Sequence, residues 1–487
     1  MNLKNILDGI EGLKAKGELD LEIEGIESNS KKIEKGFLFV AIKGFTVDGH
    51  EFIGSAIENG AVAVVVDESC DLKALKIPSN VTLIVAKDTR EFLALASANF
   101  YGNPSERFKL IGITGTKGKT TTTFMIKEIL EKAGKKVGLI GTIATYINGR
   151  KIADSDRTTP ESLELQRMFA DMVKEGVEYV VMEVSSQSLK LHRVDGCHFD
   201  YVAFTNFSED HISEKEHPNM EDYLQSKLKL FKMCKTGFVN IDDLQGNKIP
   251  AMFPDSDITG YGIDNFGNFL AKDITITNSY VDFKAKIADR NERVKVDIPG
   301  RFTVYNALCA ICVCRKIGIE SSVMKEALEK IKVPGRSEMV ENKLEIPIMI
   351  DYAHSPESLQ NILQAVKSYT RGRVISVFGC GGDRDTRKRP IMGEISGKIA
   401  DYTIITSDNP RTENPEEIVK EIEEGIKKTK GNYKVVVDRT EAIKEAINMA
   451  TKLDIIVLAG KGHEPYQEIN GEKFPFDERI IVNEIIG

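Results

Sequence analysis

The chain has 487 residues, 41% of them hydrophobic and 29% charged, with a formal net charge of −8. That length is too great for one hydrophobic core and, at roughly 150 residues per domain, implies about three domains. The acidic balance argues against a general nucleic-acid binder, no apolar run is long enough to span a bilayer, and seven cysteines are too few for a disulfide framework.

In chain order, the opening MNLKNILDGIEGLKAKGE alternates Leu and Ile with acids and lysines. It lacks the apolar centre of a secretory signal, so a cytoplasmic protein is expected. Runs at 37–42 (FLFVAI), 61–66 (AVAVVV) and 81–86 are rich in β-formers and predict a small α/β domain over 1–107. After YGNPSERFK a second alternation begins, with a strand over 108–114, a glycine loop, a helix through Lys132 ended by Gly134, and a strand over 137–141. Strands predicted at 179–184 and 200–205 end in polar clusters, as a parallel sheet with its site at the carboxyl ends requires. Residues 269–298 read as an antiparallel insert, and helices near 303–317 and 321–331 close a central domain over 108–333. VPGR punctuates a linker, and from 334 to 487 a third α/β alternation has strands near 346–352, 373–379, 402–407, 433–437 and 454–459.

Within the central segment, GITGTKGKTTTT has the parts of a phosphate cradle but not the usual spacing. A Walker loop places four residues between its first glycine and the Gly-Lys pair. Here Gly112 to Gly118 encloses five and Gly115 to Gly118 encloses two. The physical requirements survive: a strand before, a helix after, and glycines that bare backbone N–H groups at a helix amino terminus. Lys119 supplies a point charge for β/γ-phosphates, and Thr120 or Thr121 an oxygen for Mg²⁺. Glu183 ends a buried strand, where an acid needs a cation or a donor. Of the seven histidines, His211, His354 and His463 follow predicted strands. Cys309, Cys312 and Cys314 lie in an apolar helical run and read as small buried hydrophobes rather than metal ligands.

The ordered segments GTKGKTT, EVSS, TNFSEDH, YLQSKLKLF, VPGRSE, DYAHSPESL, FGCGGDRDTRKRP, SDNPRTENP and AGKGHE resemble the Mur ligases of peptidoglycan synthesis, over nearly the whole chain. That family uses the irregular loop spacing seen here. The resemblance implies an α/β fold of three domains: a small amino-terminal UDP-sugar-binding domain, a central P-loop ATPase-type parallel sheet, and a Rossmann-like carboxyl-terminal domain. It implies an ATP-dependent ligase that converts a carboxylate to an acyl phosphate and lets an amine displace phosphate.

Residue by residue, the resemblance assigns Gly115, Thr116, Lys117, Gly118, Lys119, Thr120 and Thr121 to the nucleotide phosphates. Relatives often carry Asn at Lys117, so its backbone rather than its charge is expected to meet the nucleotide. Thr120 or Thr121 with Glu183 would bind one Mg²⁺, and His211 would help bind a second. Lys227 aligns with a lysine that the family carbamylates with CO₂, giving an N6-carboxylysine able to ligate metal. Asn306, Arg336 and Asp351 correspond to adenine-side, phosphate and ribose contacts, with closure of the third domain completing the site, and His354 stands near the nucleotide. Ser30, Phe45, Thr46 and Val47 resemble the uridine-binding segments. Thr158, Thr159, Ser185 and Arg193 match the muramoyl-dipeptide contacts of UDP-MurNAc-L-Ala-D-Glu, whereas Leu191 stands where the family often has Gln, with Gln187 nearby. Asp408, Asn409, Pro410 and Arg411 resemble the signature of members that add meso-diaminopimelate. There Arg411 would pair with the distal carboxylate, Asp408 and Asn409 would meet the distal ammonium, and Arg384, Gly460 and Glu464 would complete the pocket. The family favours a monomer. An L-lysine-adding ligase, a folylpolyglutamate-type relative without the Asp-Asn-Pro-Arg segment, and a P-loop regulatory switch remain alternatives at this point.

Overall fold

The computed structural model describes residues 1–487 except 74, 211, 214, 215, 266, 288 and 289. The chain divides into two compact units, Met1–Asn268 with Cys309–Ile319, and Phe269–Leu308 with Glu320–Gly487.

The first unit holds two sheets. The smaller has the order Lys14–Lys16, Thr82–Ala86, Ala63–Asp67, Phe37–Val40, Gly25–Glu27, antiparallel at the first pair and parallel elsewhere. The run AVVV is apolar without alternation because both faces are covered: Ala63 and Val65 face one cluster, Val64 and Val66 another. The larger sheet runs Asp257–Gly262, Thr236–Asn240, Tyr201–Phe204, Lys109–Thr114, Tyr179–Glu183 and Val137–Ile140, all parallel. Ala144–Ile147 and Arg150–Asp154 extend it antiparallel. The three central strands bring the carboxyl ends at Thr114, Glu183 and Phe204 side by side, which is where the glycine loop starts.

Thr236–Asn240 and Asp257–Gly262 escape sequence-based expectation because glycine dilutes their β-character. Those glycines are packing devices, since a Cβ on Gly237 would stand 2.8 Å from the Phe231 ring and one on Gly260 2.6 Å from Ile241.

The second unit is built on the order Glu338–Met339, Ile348–Asp351, Ile455–Ala459, Val374–Phe378, Tyr402–Ile405, Asn432–Val435, parallel except at the first pair. Met349, Val457 and Phe378 pack under the helices Pro356–Tyr369, Lys388–Ile399 and Pro415–Ile426. Ile350, Leu458 and Val377 face Arg439–Met449 and Glu478–Ile486 on the other side. A doubly wound sheet of this kind places ligands at the carboxyl ends where strand order reverses, here after Asp351, Ala459, Phe378 and Ile405. The insert is an antiparallel meander, Phe269–Ile276, Val281–Ile287 and Arg290–Val296.

At the opposite end of this sheet Asp454 accepts from Arg373 N at 2.6 Å, Arg373 Nη2 at 2.9 Å and Thr451 N at 2.9 Å. Burial alone would raise its carboxyl, but these donors outweigh it and hold the group at about 2. A carboxyl depressed on folding stabilises above its unfolded value of about 3.9, and that contribution is lost as pH falls toward the folded value. Asp454→Asn is therefore expected to cost about 2 kcal/mol near neutral pH and progressively less between about pH 4 and pH 2. Denaturant titrations of both proteins across that range check it; a difference independent of pH would refute it.

Candidate active site

The loop Thr114–Gly118 is held by its neighbours rather than by its own sequence. Thr116 N donates to Asn206 O at 2.9 Å and Lys117 N to Asn206 Oδ1 at 2.9 Å. Lys117 O accepts from Asn206 Nδ2 at 3.1 Å and from Thr205 Oγ1 at 2.6 Å. Gly115 adopts φ +140°, and a Cβ there would stand 2.0 Å from Thr205 Oγ1, so glycine is required by space and by backbone. Gly118, at φ +84°, precedes the helix Lys119–Lys132, with Thr120 and Thr121 buried in its first turn. The Lys117 side chain turns to Asp210, Nζ to Oδ2 at 2.7 Å. Its charge is thus spent within the protein, but so is its N–H, which leaves the expected backbone contact with the nucleotide without that donor.

Glu183 is 1% exposed. Its Oε1 accepts from Thr142 N at 2.8 Å, and its Oε2 accepts from Thr142 Oγ1 at 3.0 Å and Thr120 Oγ1 at 3.0 Å. Gly141 leaves room for it, because a Cβ there would lie 2.3 Å from Oε1. One carboxylate and two hydroxyls give an oxygen donor set of the hard kind that suits Mg²⁺. From the same cluster, Thr142 Oγ1 meets Thr158 Oγ1 at 3.1 Å. Thr159 Oγ1 donates to Glu183 O at 2.9 Å and accepts from Ser185 N at 3.1 Å. Buried Arg193 reaches Thr159 O at 3.3 Å and Glu161 at 2.9 Å. Thr158, Thr159, Ser185 and Arg193 are therefore one connected patch beside Glu183.

Lys227, on the helix Met220–Lys232, is 1% exposed; its Nζ donates to Gly115 O at 2.9 Å and lies 4.4 Å from the centre of the Tyr223 ring. Lys119 Nζ donates to the same carbonyl at 2.8 Å and to Thr116 O at 3.0 Å. Burial, and next the Lys119 charge, hold the Lys227 amine well below the ordinary lysine range, with Asp210 opposing. An amine whose charged form is disfavoured in this way gives up its proton more readily than a solvated lysine does. Tyr223 is locked in turn, its OH donating to Thr116 Oγ1 at 3.2 Å.

In the second unit the residues 408–411 follow the strand Tyr402–Ile405. Asp408 and Asn409 are buried, with Asn409 N donating to Asp408 Oδ1 at 2.7 Å and Asn409 Nδ2 to Glu464 Oε2 at 2.8 Å. A Cβ on Gly460, at φ +116°, would lie 2.5 Å from Asp408 Oδ2, so this glycine clears space for that carboxylate. Arg411, at φ +52°, donates from Nε to Glu468 at 3.0 Å and from Nη1 to Gly382 O at 2.8 Å. Pro410 is buried, and Arg384 is exposed. Burial pushes the Glu464 carboxyl up, with Lys461 opposing. This segment thus brings carboxylates and guanidinium groups near one another.

Also in this unit, Asp351 Oδ2 accepts from Ser337 N at 2.7 Å, and the Arg336 guanidinium lies 4.8 Å from the centre of the Tyr352 ring, with exposed His354 4.6 Å away from that ring. Burial raises the Asp351 carboxyl, with Arg336 opposing. Asn306 is buried on the helix Arg301–Ile317. That helix also buries Cys309, Cys312 and Cys314, whose thiols burial pushes up. In the first unit, Ser30 is buried and its carbonyl accepts from Asn59 Nδ2 at 2.9 Å. The loop beyond it leaves Phe45 67% and Val47 53% exposed, with Thr46 exposed between them. Leu191 and Gln187 are half-buried on and after the short helix Ser186–Lys190. His211 lies outside the described residues. Thr142, Asn206, Tyr223 and Lys461 are not marked out by the sequence, although Thr142 directly follows the strand predicted over 137–141, as Glu183 ends the one predicted over 179–184.

Three family models match the chain: "Mur ligase family, catalytic domain" over residues 22–101, "Mur ligase middle domain" over 113–314, and "Mur ligase, glutamate ligase domain" over 335–462. Similar proteins include the UDP-N-acetylmuramoyl-L-alanyl-D-glutamate–2,6-diaminopimelate ligase of Caldanaerobacter subterraneus, 49% identical over 100% of this chain and 99% of its own length. One of the two such ligases of Clostridium acetobutylicum is 47% identical over the same shares. Among solved structures, a ligase of the same name aligns with TM-score 0.72 and 28% identity over 100% of this chain and 98% of its own. The MurF ligase of Thermotoga maritima in complex with ADP, at 20% identity and TM-score 0.62 over 90% and 94%, shares the fold. Among the described residues no helix is long and apolar enough to cross a membrane.

Proposed function

Because this chain belongs to the Mur ligase family, we propose that it is an ADP-forming ligase that joins meso-2,6-diaminopimelate to UDP-N-acetylmuramoyl-L-alanyl-D-glutamate in peptidoglycan synthesis. The observation that carries the choice of amino acid is the segment at residues 408–411, where buried Asp408 and half-buried Glu464 lie near Arg411 and Arg384. A distal group bearing both a carboxylate and an ammonium needs acceptors and donors at once, whereas lysine needs acceptors alone.

In this reading the D-glutamate carboxylate attacks the γ-phosphate of ATP, ADP leaves, and the diaminopimelate amine then displaces phosphate to form the amide. Positioning and charge neutralisation do most of the work. The loop Gly115, Thr116, Lys117, Gly118, Lys119, Thr120 and Thr121 surrounds the nucleotide phosphates, Lys119 acting by its charge and Lys117 shaping the loop rather than donating to the nucleotide. Thr120, Thr121 and Glu183 would hold one Mg²⁺ and His211 would help hold a second, and such ions would supply charge neutralisation to a phosphoryl transfer. Lys227 adds through its neutral nitrogen to CO₂, forming one N–C bond and releasing one proton, and the carbamate is an anionic oxygen ligand. Asn306, Arg336 and Asp351 serve the adenosine side. Ser30, Phe45, Thr46 and Val47 receive the uridine, and Thr158, Thr159, Ser185, Leu191 and Arg193 the muramoyl dipeptide. We assign domains to 1–107, 108–333 and 334–487, and the protein to the cytoplasm as a monomer.

Phosphate release with UDP-N-acetylmuramoyl-L-alanyl-D-glutamate and each amino acid separately tests this reading; turnover with lysine and none with diaminopimelate would overturn it. Arg411→Ala is expected to raise KM for diaminopimelate by about 10- to 100-fold with little change in kcat, as loss of hydrogen bonds to a charged partner requires. An unchanged KM would remove Arg411 from the pocket.

A further inference from the structure

Lys461 is a fully buried cation that no part of the reaction above employs. Its Nζ donates to Asn409 Oδ1 at 2.9 Å and lies 3.4 Å from Glu464 Oε2. Asn409 Oδ1 also accepts from Glu468 N at 3.0 Å, while Asn409 Nδ2 donates to Glu464 Oε2. Lysine and a backbone N–H can only donate, and a carboxylate can only accept, so the partners themselves fix which way this amide faces. Its oxygen is taken twice over. What Asn409 has left for a ligand is an N–H, so the sequence-based expectation that it meets a distal ammonium is corrected: it can meet only an acceptor.

The same lysine sets the charge of the pocket. Asp408 and Glu464 are the carboxylates available to a ligand, since Glu468 is engaged by Arg411. With Lys461 beside Glu464, one of these two negative charges is offset, and exposed Arg384 adds positive charge nearby. The balance then matches a distal zwitterion. Without Lys461 the two carboxylates would outweigh the one remaining guanidinium, and the amide could turn its oxygen outward, which is the environment a lone ammonium prefers.

We infer that Lys461 is a specificity-determining positioning residue, which orients Asn409 as a donor and offsets Glu464 so that the pocket accepts an amino acid with a distal zwitterion over one with a distal ammonium only. The inference rests on the assignment of residues 408–411 to the amino acid. Its test is kcat/KM for meso-diaminopimelate and for L-lysine in the wild type and in Lys461→Met. The expected result is a fall of at least 10-fold in the ratio of diaminopimelate to lysine, carried mainly by KM for diaminopimelate. A purely structural lysine would depress both amino acids alike, so an unchanged ratio overturns the inference.

Should Lys461→Met not fold, the amide orientation is tested separately. Asn409→Asp sets a carboxylate against Glu464 and should raise KM for diaminopimelate, and Asn409→Asp with Glu464→Gln restores a donor–acceptor pair and should recover part of that loss. No recovery in the double variant overturns the inference. A wild type that turns over lysine and not diaminopimelate would instead defeat the proposed function, so the two failures are distinguishable.

Discussion

Lys227→Met is expected to lower kcat by about 100- to 1000-fold, the scale seen when one preorganised electrostatic group is lost from an active site, with ADP affinity changed far less. Methionine matches lysine in length and suits a side chain that is 1% exposed and lies over the Tyr223 ring, so the cavity stays filled. What disappears is the amine, and with it both the bond to Gly115 O and any carbamate. Burial and the Lys119 charge hold the amine well below the ordinary lysine range, which is the direction that the proposed addition to CO₂ requires. Lys227→Arg is the informative companion: it keeps a cation, cannot form the carbamate, and should be as inactive as the methionine variant. Steady-state phosphate release with calorimetric ADP binding decides the matter. Turnover within a few-fold of wild type in either variant would show that no adduct at this nitrogen is needed.

Gly115→Ala is expected to lower the thermal midpoint of the first unit by about 5 to 10 °C and to abolish measurable nucleotide binding. A backbone conformation closed to L-residues costs about 1–3 kcal/mol, overpacking costs a similar amount, and each kcal/mol moves the midpoint by about 2–4 °C in a domain of this size. The added methyl would stand 2.0 Å from Thr205 Oγ1 and 3.1 Å from Asn206 N and O, so relief requires moving the residues that shape the loop. Gly134→Ala provides the control. It too has a positive φ, +77°, but meets nothing within 4 Å, and should cost only about 1 kcal/mol with binding intact. Equal effects in the two variants would show that backbone strain, and not the collision with Thr205, sets the outcome.

Much of this architecture is legible in the residues. The glycine loop and the helix through Lys132 announce themselves because strand, turn and helix signals agree there. The strands at 236–240 and 257–262 do not, since their glycines serve close packing that only tertiary structure reveals. The lysines show the same division: by composition Lys227 and Lys229 are alike, yet 227 shares a helix face with Tyr223 and Phe231 at i−4 and i+4, and the core on that side buries it. Helical periodicity could have separated the two. Nothing in the spacing of AGKGHE, by contrast, reveals that Lys461 is buried against Asn409, a contact spanning more than fifty residues of chain. Likewise nothing local marks Asn206 beside the more conspicuous His211, because a side chain that serves another segment's backbone leaves no local pattern.

The grip of Thr205, Asn206 and Tyr223 on the glycine loop has a kinetic consequence. A loop of glycines left to itself would sample many shapes, and a nucleotide would have to wait for the competent one and bear the entropy of freezing it. Here that entropy is settled when the chain folds. Encounter with the nucleotide can then proceed without a preceding rearrangement of the loop, so association should follow a single exponential whose rate rises linearly with nucleotide concentration. Loosening the loop at Asn206 should bend that line toward a plateau, as a slow search for the competent shape begins to limit capture.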